Sequence, residues 1–187
     1  MRAVADRVGV TPMALYPHIG SKDALLDGLV DRLLAEFLPD APGLEEFRSS
    51  PWPDRLRAIG HGTRDLAQRH PAVFRVLFSR PAVTADAVRV VDLIYQVLLD
   101  AGVADAEVPR LERLVTTFCM GFALSEIHGR FDARQVVTRS ERGRIAPGSV
   151  PAHDRLGPLL DLAPDIDSEY DRDLDDLVAM VAATAAS

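Results

Sequence analysis

The chain has one cysteine, and aromatic residues make up only 6% of its 187 positions. A single cysteine excludes an intramolecular disulfide framework and is typical of a reducing compartment. No apolar run approaches the roughly 20 residues that cross a bilayer. No secretory hydrophobic region follows Met1-Arg2. From these absences we expect a cytoplasmic protein that has no membrane partner.

The sequence also lacks the spacings that catalytic and metal-binding motifs require. Its five histidines are scattered, and none belongs to an HExxH pattern. There is no CxxC, no GxSxG and no phosphate-binding glycine loop. Paired acids such as Glu45-Glu46 and Asp175-Asp176 lie where solvated helix starts or faces are expected. We therefore expect neither an enzyme nor a cofactor or metal site.

Charge is distributed unevenly along the chain. The net charge of −7 argues against a protein that binds nucleic acid over its whole surface. Residues 1–22, however, carry Arg2, Arg7 and Lys22 against Asp6 alone, a balance of +2. Lys22 is the only lysine. The acidity therefore lies outside the first segment, which could still approach a phosphate backbone.

The first 38 residues have the pattern of a helix-turn-helix. A short amphipathic helix over residues 1–8 ends at Gly9, which can take the positive φ of a helix end. Thr11 is a good N-cap, and Pro12 falls at the first helical position, where its missing N–H costs nothing. Ser21 caps a third, longer helix that runs to about residue 38.

The packing of this segment can also be predicted. We expect five apolar side chains to fix the crossing of the two short helices: Val4, Val8, Val10, Leu15 and Ile19. Ala3 and Ala5 are small enough for a close approach of the backbones. We expect the second helix to be short because Pro17 cannot be accommodated deep in a helix.

The residues from Val4-Ala5 through Gly9-Val10-Thr11-Pro12 to Lys22-Asp23-Ala24-Leu25-Leu26 resemble the DNA-binding signature of the tetracycline-repressor (TetR) family. An aromatic residue at Tyr16, then His18, a hydrophobic residue and a lysine before Asp-x-Leu-Leu are hallmarks of that pattern. The resemblance implies an all-α, homodimeric repressor of transcription that responds to a small-molecule effector.

Carried over by position, the resemblance makes seven residues the DNA-facing set: Thr11, Pro12, Met13, Tyr16, Pro17, His18 and Lys22. Thr11 can donate to a phosphate or base edge, and Pro12 and Met13 can meet thymine methyl groups. A phosphate between Lys22 and the helix N-terminus would offset the unfavourable meeting of a cation with the helix dipole. The expected partner is a double-stranded DNA operator.

The family pattern also implies a further helix before Val4. We therefore expect residues 1–38 to be an incomplete DNA-binding domain that lacks its first helix. Residues 39–187 would form a helical effector-binding and dimerisation domain. The alternative hypothesis is a small-molecule-binding or protein-interaction dimer that no longer binds DNA.

After residue 38 the apolar periodicity predicts only helices. We expect helices over 53–70, from Pro71 to about 80, over 84–101, 106–130 and 168–183. Residues 39–43 are expected to break the third helix, and a polar segment follows to Pro53. We expect a loop-like segment over 132–167, which contains Arg139, Arg142 and Arg144. Gly121 is expected to permit close packing or to leave room for a ligand.

The resemblance also implies an effector pocket and a dimer interface. The candidate pocket residues combine apolar rings with a few polar groups, as ligand sites do: His61, Arg64, Phe74, Phe78, Tyr95, Phe118 and Phe122. For each of them, an ordinary core or surface position is the alternative. Cys119 is expected to be a buried small apolar group. The helices over about 106–130 and 168–183 would pair with their copies in a homodimer.

Overall fold

The computed structural model describes residues 1–38, 41–79, 84–132, 144–146 and 148–186, with only the backbone for 41, 42, 78 and 79. These residues form ten α-helices and no strand, which confirms the all-α prediction. The helices are α1 (Arg2–Val8), α2 (Pro12–Ile19), α3 (Lys22–Phe37), α4 (Ala41–Ser49), α5 (Trp52–Arg69), α6 (Pro71–Ser79), α7 (Ala85–Asp100), α8 (Val108–Ile127), α9 (Pro151–Leu160) and α10 (Ile166–Ala185). No described helix combines the length and hydrophobicity that a bilayer crossing needs.

The first three helices have the predicted caps. Gly9 ends α1 with a φ of 77°, a conformation that other residues rarely adopt. The Thr11 hydroxyl accepts a hydrogen bond from the Ala14 N–H at 3.3 Å. The Ser21 hydroxyl accepts one from the Ala24 N–H at 3.0 Å. These caps fix where α2 and α3 begin.

Helix α2 is short, as predicted, but it does not end at Pro17. Pro17 lies inside the helix, which continues to Ile19. The helix ends instead at Gly20, which has a φ of 67° and donates its N–H to the Tyr16 carbonyl at 2.8 Å. A proline near the end of a short helix removes a single backbone hydrogen bond, and α2 tolerates that loss.

The predicted apolar contacts between α1 and α2 were only partly right. Ala5 is fully buried and Leu15 is 8% exposed. Val4, Val8 and Val10 are all exposed, as is Ala3. The small Ala5 lets the helices approach closely, so the described contact buries little more than this residue and Leu15.

Helix α5 is the centre of the remaining structure. It packs against α3, α6, α7, α8 and α10. One buried cluster joins α5, α7, α8 and α10 and includes Leu56, Val97, Leu111 and Leu174. A second joins the inner face of α3 to α6 and includes Leu34 and Phe74. Phe37, the last residue of α3, packs against both clusters.

Two helices were not predicted. Residues 41–49 form α4 within the polar segment, and residues 151–160 form α9 within the segment expected to be loop-like. Prolines indicated a loop there, but Pro151 occupies the first turn of α9, where its missing N–H is harmless. Arg139 and Arg142 lie outside the described residues, and Arg144 is exposed.

Close packing at glycine occurs on α5 rather than at Gly121. A Cβ on Gly121 would meet no neighbouring atom within 4 Å. A Cβ on Gly62 would lie 3.3 Å from the Phe37 ring, and one on Gly60 would meet the side chains of Leu174 and Tyr170. Helix α5 therefore omits two side chains where α3 and α10 lie against it.

Candidate functional site

The exposed face of α2 carries most of the predicted DNA-facing residues. Met13, Tyr16 and Pro17 follow one another at helical spacing, and Met13 is 78% exposed. On the opposite face, Leu15 is buried and Ile19 is half-buried. Helix α2 is thus held by one side and presents the other. Of the seven predicted residues, only Pro12 is half-buried and the rest are exposed.

The polar groups of this face are available to a partner. Among the described residues, none bonds or pairs with the side chains of Tyr16, His18 and Lys22. The Thr11 oxygen accepts the capping hydrogen bond at 3.3 Å, which leaves its hydroxyl proton free to donate. Lys22 is the first residue of α3, so its ammonium and the helix N-terminus can attract the same anion.

A second site is a cluster of rings around Tyr170. The rings of Phe122 and Tyr170 have centroids 4.4 Å apart, and Phe131 lies 4.9 Å from Phe122. Phe118 stacks on Tyr170 at 6.3 Å, and His61 meets Tyr170 edge-on at 5.8 Å. The structure therefore brings together three predicted pocket residues, His61, Phe118 and Phe122, beside two that the sequence interpretation did not include.

Arg64 closes this ring cluster on one side. Its guanidinium lies 5.3 Å from the Tyr170 ring centroid. It donates to both oxygens of Glu126, at 2.8 and 2.5 Å, and to Asp167 at 2.6 Å. The hydrogen bonds from Arg64 lower the pKa of Glu126, and the hydrogen bond to Glu126 raises the pKa of Arg64. Arg64 therefore joins α5 to α8, which carries Glu126, and to α10, which carries Asp167.

The other predicted pocket residues lie elsewhere. Phe74 is 1% exposed and belongs to the second buried cluster. Tyr95 is half-buried on α7 and packs against the first. The side chain of Phe78 lies outside the described residues. Phe74 therefore belongs to a different buried cluster from the one that Tyr95, Phe118 and Phe122 contact.

An apolar cavity of about 70 Å³ lies between α3, α5, α6, α7 and α8. Among its lining residues only Phe74 was predicted for the pocket. The lining residues are Leu34, Phe37, Ile59, Thr63, Leu66, Phe74, Leu77, Val90, Ile94, Thr116, Cys119 and Met120. The apolar periodicity that identified these positions as core cannot indicate which of them border a void.

Burial sets the chemistry of the cavity wall. The Cys119 thiol is 2% exposed, and desolvation raises its pKa to about 11. Desolvation also raises the pKa of Tyr170, whose hydroxyl donates to the Gly60 carbonyl at 2.8 Å. Cys119 is a buried free thiol, which agrees with the prediction of a small apolar group.

Comparison with known proteins relates this arrangement to one family. Residues 56–142 match the family described as "Tetracyclin repressor-like, C-terminal domain". The chain is 27% identical over 128 residues to the HTH-type transcriptional repressor DrrR1 of Streptomyces coeruleorubidus, covering 68% of this chain and 46% of that protein. It is 29% identical over 189 residues to an HTH-type transcriptional regulator of Saccharopolyspora erythraea, covering 99% of this chain and 76% of that protein. Residues 56–142 are therefore similar to a TetR C-terminal domain, and the two relatives are regulators of the kind that the sequence resemblance implies. The chain spans less than half the length of the first relative and about three quarters of the second.

Solved structures support the TetR fold. The TetR family protein ActR of Streptomyces coelicolor, in complex with (S)-DNPA, superposes with a TM-score of 0.73 at 21% identity, covering 98% of this chain and 87% of that one. Another TetR regulator from Streptomyces coelicolor gives 0.76 at 19% identity, with the same coverage. At these identities the likeness shows the fold. The likeness agrees with the all-α fold that the sequence resemblance implies.

Proposed function

We propose that this chain is a TetR-family regulator that reads a DNA operator through the exposed face of α2 and represses transcription until a small-molecule effector binds. The observation that carries the proposal is the exposure of Met13 and Tyr16 on a helix whose other face holds the buried Leu15. A helix presented in this way can enter a major groove, with apolar and hydroxyl groups against the base edges.

The effector would bind among the central helices. Two observations support this part of the proposal. Helices α1 and α2 and the start of α3 form the proposed DNA reader. The other end of α3 borders the apolar cavity, which its residues Leu34 and Phe37 line. ActR, which shares the fold, has structures in complex with (S)-DNPA and with actinorhodin. A ligand in the cavity would press on the helix to which the reader is attached.

Binding to the two half-sites of an operator also needs a dimer, and we propose that α8 and α10 form its interface. Leu114 and Thr117 are exposed along one side of α8, and Ala179 and Ala182 along one side of α10. Small and apolar exposed side chains at helical spacing are typical of helix faces that pack closely. Two readers held in fixed register could then engage half-sites about 34–36 Å apart.

An electrophoretic mobility assay on the DNA flanking the chain's own gene tests the proposal. The assay uses the 187-residue chain, and in parallel the same chain extended by any in-frame codons upstream of Met1. We expect a complex that survives competition by unrelated DNA at physiological salt. Binding that unrelated DNA abolishes in both samples would contradict the proposal.

The alternative function makes a different prediction. A dimer that has lost DNA binding would form no specific complex in either sample but would still be stabilised by a small molecule. Light scattering measures the dimer independently. Leu114→Arg should give a monomer that remains folded by circular dichroism, and Arg113→Ala on the same helix is the matched control.

A further inference from the structure

Three neighbouring spaces share lining residues. The cavity of about 70 Å³ shares Phe37 and Ile59 with a groove of about 210 Å³ between α4 and α5. That groove in turn shares Leu93 with an outer cleft of about 480 Å³ between α3, α4 and α7. Phe37 and Ile59 line both spaces and therefore separate the inner cavity from the groove.

Phe37 is the more exposed residue of this wall. It is half-buried and lies at the last position of α3. Its ring rests on the α5 backbone at Gly62, where a Cβ would stand only 3.3 Å away. Glycine in a helix interior costs stability relative to alanine, and here it provides the space that the ring occupies. Ile59, by contrast, is 4% exposed and β-branched, so its side chain is stiff.

The lining of the cavity disfavours a charged ligand. The cavity has two hydroxyl groups, and both are satisfied within their own helices. Thr63 donates to the Ile59 carbonyl at 2.8 Å, and Thr116 donates to the Glu112 carbonyl at 2.9 Å. The Cys119 thiol is the remaining polar group, and burial keeps it protonated. No charged side chain lines the cavity among the described residues. A charged ligand group placed there would lose its hydration without gaining a partner.

The volume of the cavity limits the ligand that it can hold without the groove. A cavity of about 150 Å³ with aliphatic and aromatic walls holds benzene, so 70 Å³ is too small for one ring. The groove beyond Phe37 supplies the missing volume. We propose that the cavity and the groove form one site for an uncharged apolar ligand, and that the ligand enters beneath α4 by displacing the Phe37 ring. This inference rests on the proposed effector response and specifies its ligand class and entry route.

Fluorine NMR with fluorobenzene tests the ligand class on the full chain. Fluorobenzene is uncharged. It gives separate free and bound signals when exchange is slow and one averaged signal when exchange is fast. We expect saturable binding of fluorobenzene and none of 4-fluorobenzoate, its carboxylate-bearing counterpart. Equal or tighter binding of 4-fluorobenzoate would overturn the ligand class. Absence of fluorobenzene binding would overturn the site.

A matched pair of substitutions tests the route. Phe37→Leu shortens the wall residue, whereas Phe131→Leu makes the same change at a ring that lines neither the cavity nor the groove. Phe37→Leu should speed fluorobenzene exchange about tenfold, the effect of lowering a barrier by about 1.4 kcal/mol, and Phe131→Leu should leave the exchange rate within about threefold of the parent. Equal acceleration by the two variants would show that the ligand does not enter by displacing the Phe37 ring.

Neither fluorobenzene experiment uses DNA. A negative result for the ligand site can therefore be distinguished from failure of the proposed regulator function. Specific operator binding without fluorobenzene binding would remove the ligand site and leave the reader. Fluorobenzene binding without operator binding would retain this site in a protein of the alternative class. Circular dichroism of both leucine variants confirms that each compared protein is folded.

Discussion

The Tyr170 hydroxyl of α10 donates a hydrogen bond to the carbonyl of Gly60 on α5, at 2.8 Å. Gly60 has no side chain, which allows the phenol to reach the helix backbone. The same ring lies against Phe122 and beneath Arg64. One contact therefore joins the last helix to the centre of the fold and orders the ring cluster.

Tyr170→Phe should destabilise the protein by about 1 kcal/mol, because it removes one buried hydrogen bond and keeps the ring packing. Urea unfolding followed by circular dichroism measures the change in the free energy of unfolding. Tyr95→Phe is the control, since Tyr95 is half-buried and no hydrogen bond of its hydroxyl to a described residue is found. Equal losses in the two variants would contradict a specific role for the Tyr170 hydroxyl.

The pair formed by Arg64 and Glu126 should make stability depend on pH. The hydrogen bonds from Arg64 lower the folded-state pKa of Glu126 below its ordinary value. A lowered carboxyl pKa contributes stability above the unfolded-state pKa and loses it as pH falls through the folded-state value. We expect Glu126→Gln to be less stable than the parent at pH 7 and to approach it below about pH 4.

Urea titrations between pH 7 and pH 3 measure that difference. Glu45→Gln, at an exposed position on α4, should show no comparable convergence with the parent. A constant difference between Glu126→Gln and the parent across the range would show that the pair does not link stability to protonation.

Cys119 should react slowly with thiol reagents while the protein is folded. Its side chain is 2% exposed, and burial raises its pKa to about 11. Because the thiolate is the reactive form, its population at pH 8 should fall about 10²-fold below that of a free cysteine. Reaction with a chromogenic disulfide should become fast in denaturing urea. Rapid modification of the folded protein would contradict this environment.

Two residues of the proposed reader should affect DNA binding differently. Lys22→Ala should weaken binding to every sequence and reduce the salt slope by about 0.9, the value for one lost phosphate contact. Met13→Ala should change the order of preference among operator variants and leave the salt slope unaltered. Fluorescence anisotropy at several salt concentrations separates the two effects. An unchanged salt slope for Lys22→Ala would contradict a phosphate contact by Lys22.

Two exposed glycines should respond to alanine with opposite signs. Gly9 has a φ of 77°, so Gly9→Ala should destabilise the first helices by about 1 kcal/mol. Gly28 lies inside α3, and a Cβ there would meet nothing within 4 Å. Gly28→Ala should stabilise α3 by about 1 kcal/mol. Melting temperatures test both signs, and destabilisation by Gly28→Ala would contradict the open surroundings of that position.

Local chemistry in the sequence determined the helices and their ends. Thr11, Ser21 and Thr84 each cap the helix that follows, because a side-chain oxygen satisfies an N–H that has no partner within the helix. Apolar periodicity located α5, α7, α8 and α10 because each helix must bury one side. The same signals failed for α4 and α9, where prolines near a helix start resemble the prolines of a loop.

Tertiary structure decided which of these side chains meet. Arg64 and Glu126 are 62 positions apart, and their pairing depends on how α5 crosses α8. Nothing in the local pattern distinguishes Phe37, which borders the cavity, from Leu33, which is 3% exposed in the same helix. A void is what remains where facing side chains fail to fill the space between helices. The sequence by itself therefore determined an all-α chain with an exposed second helix, and only the packing of its helices decided where the internal cavity lies.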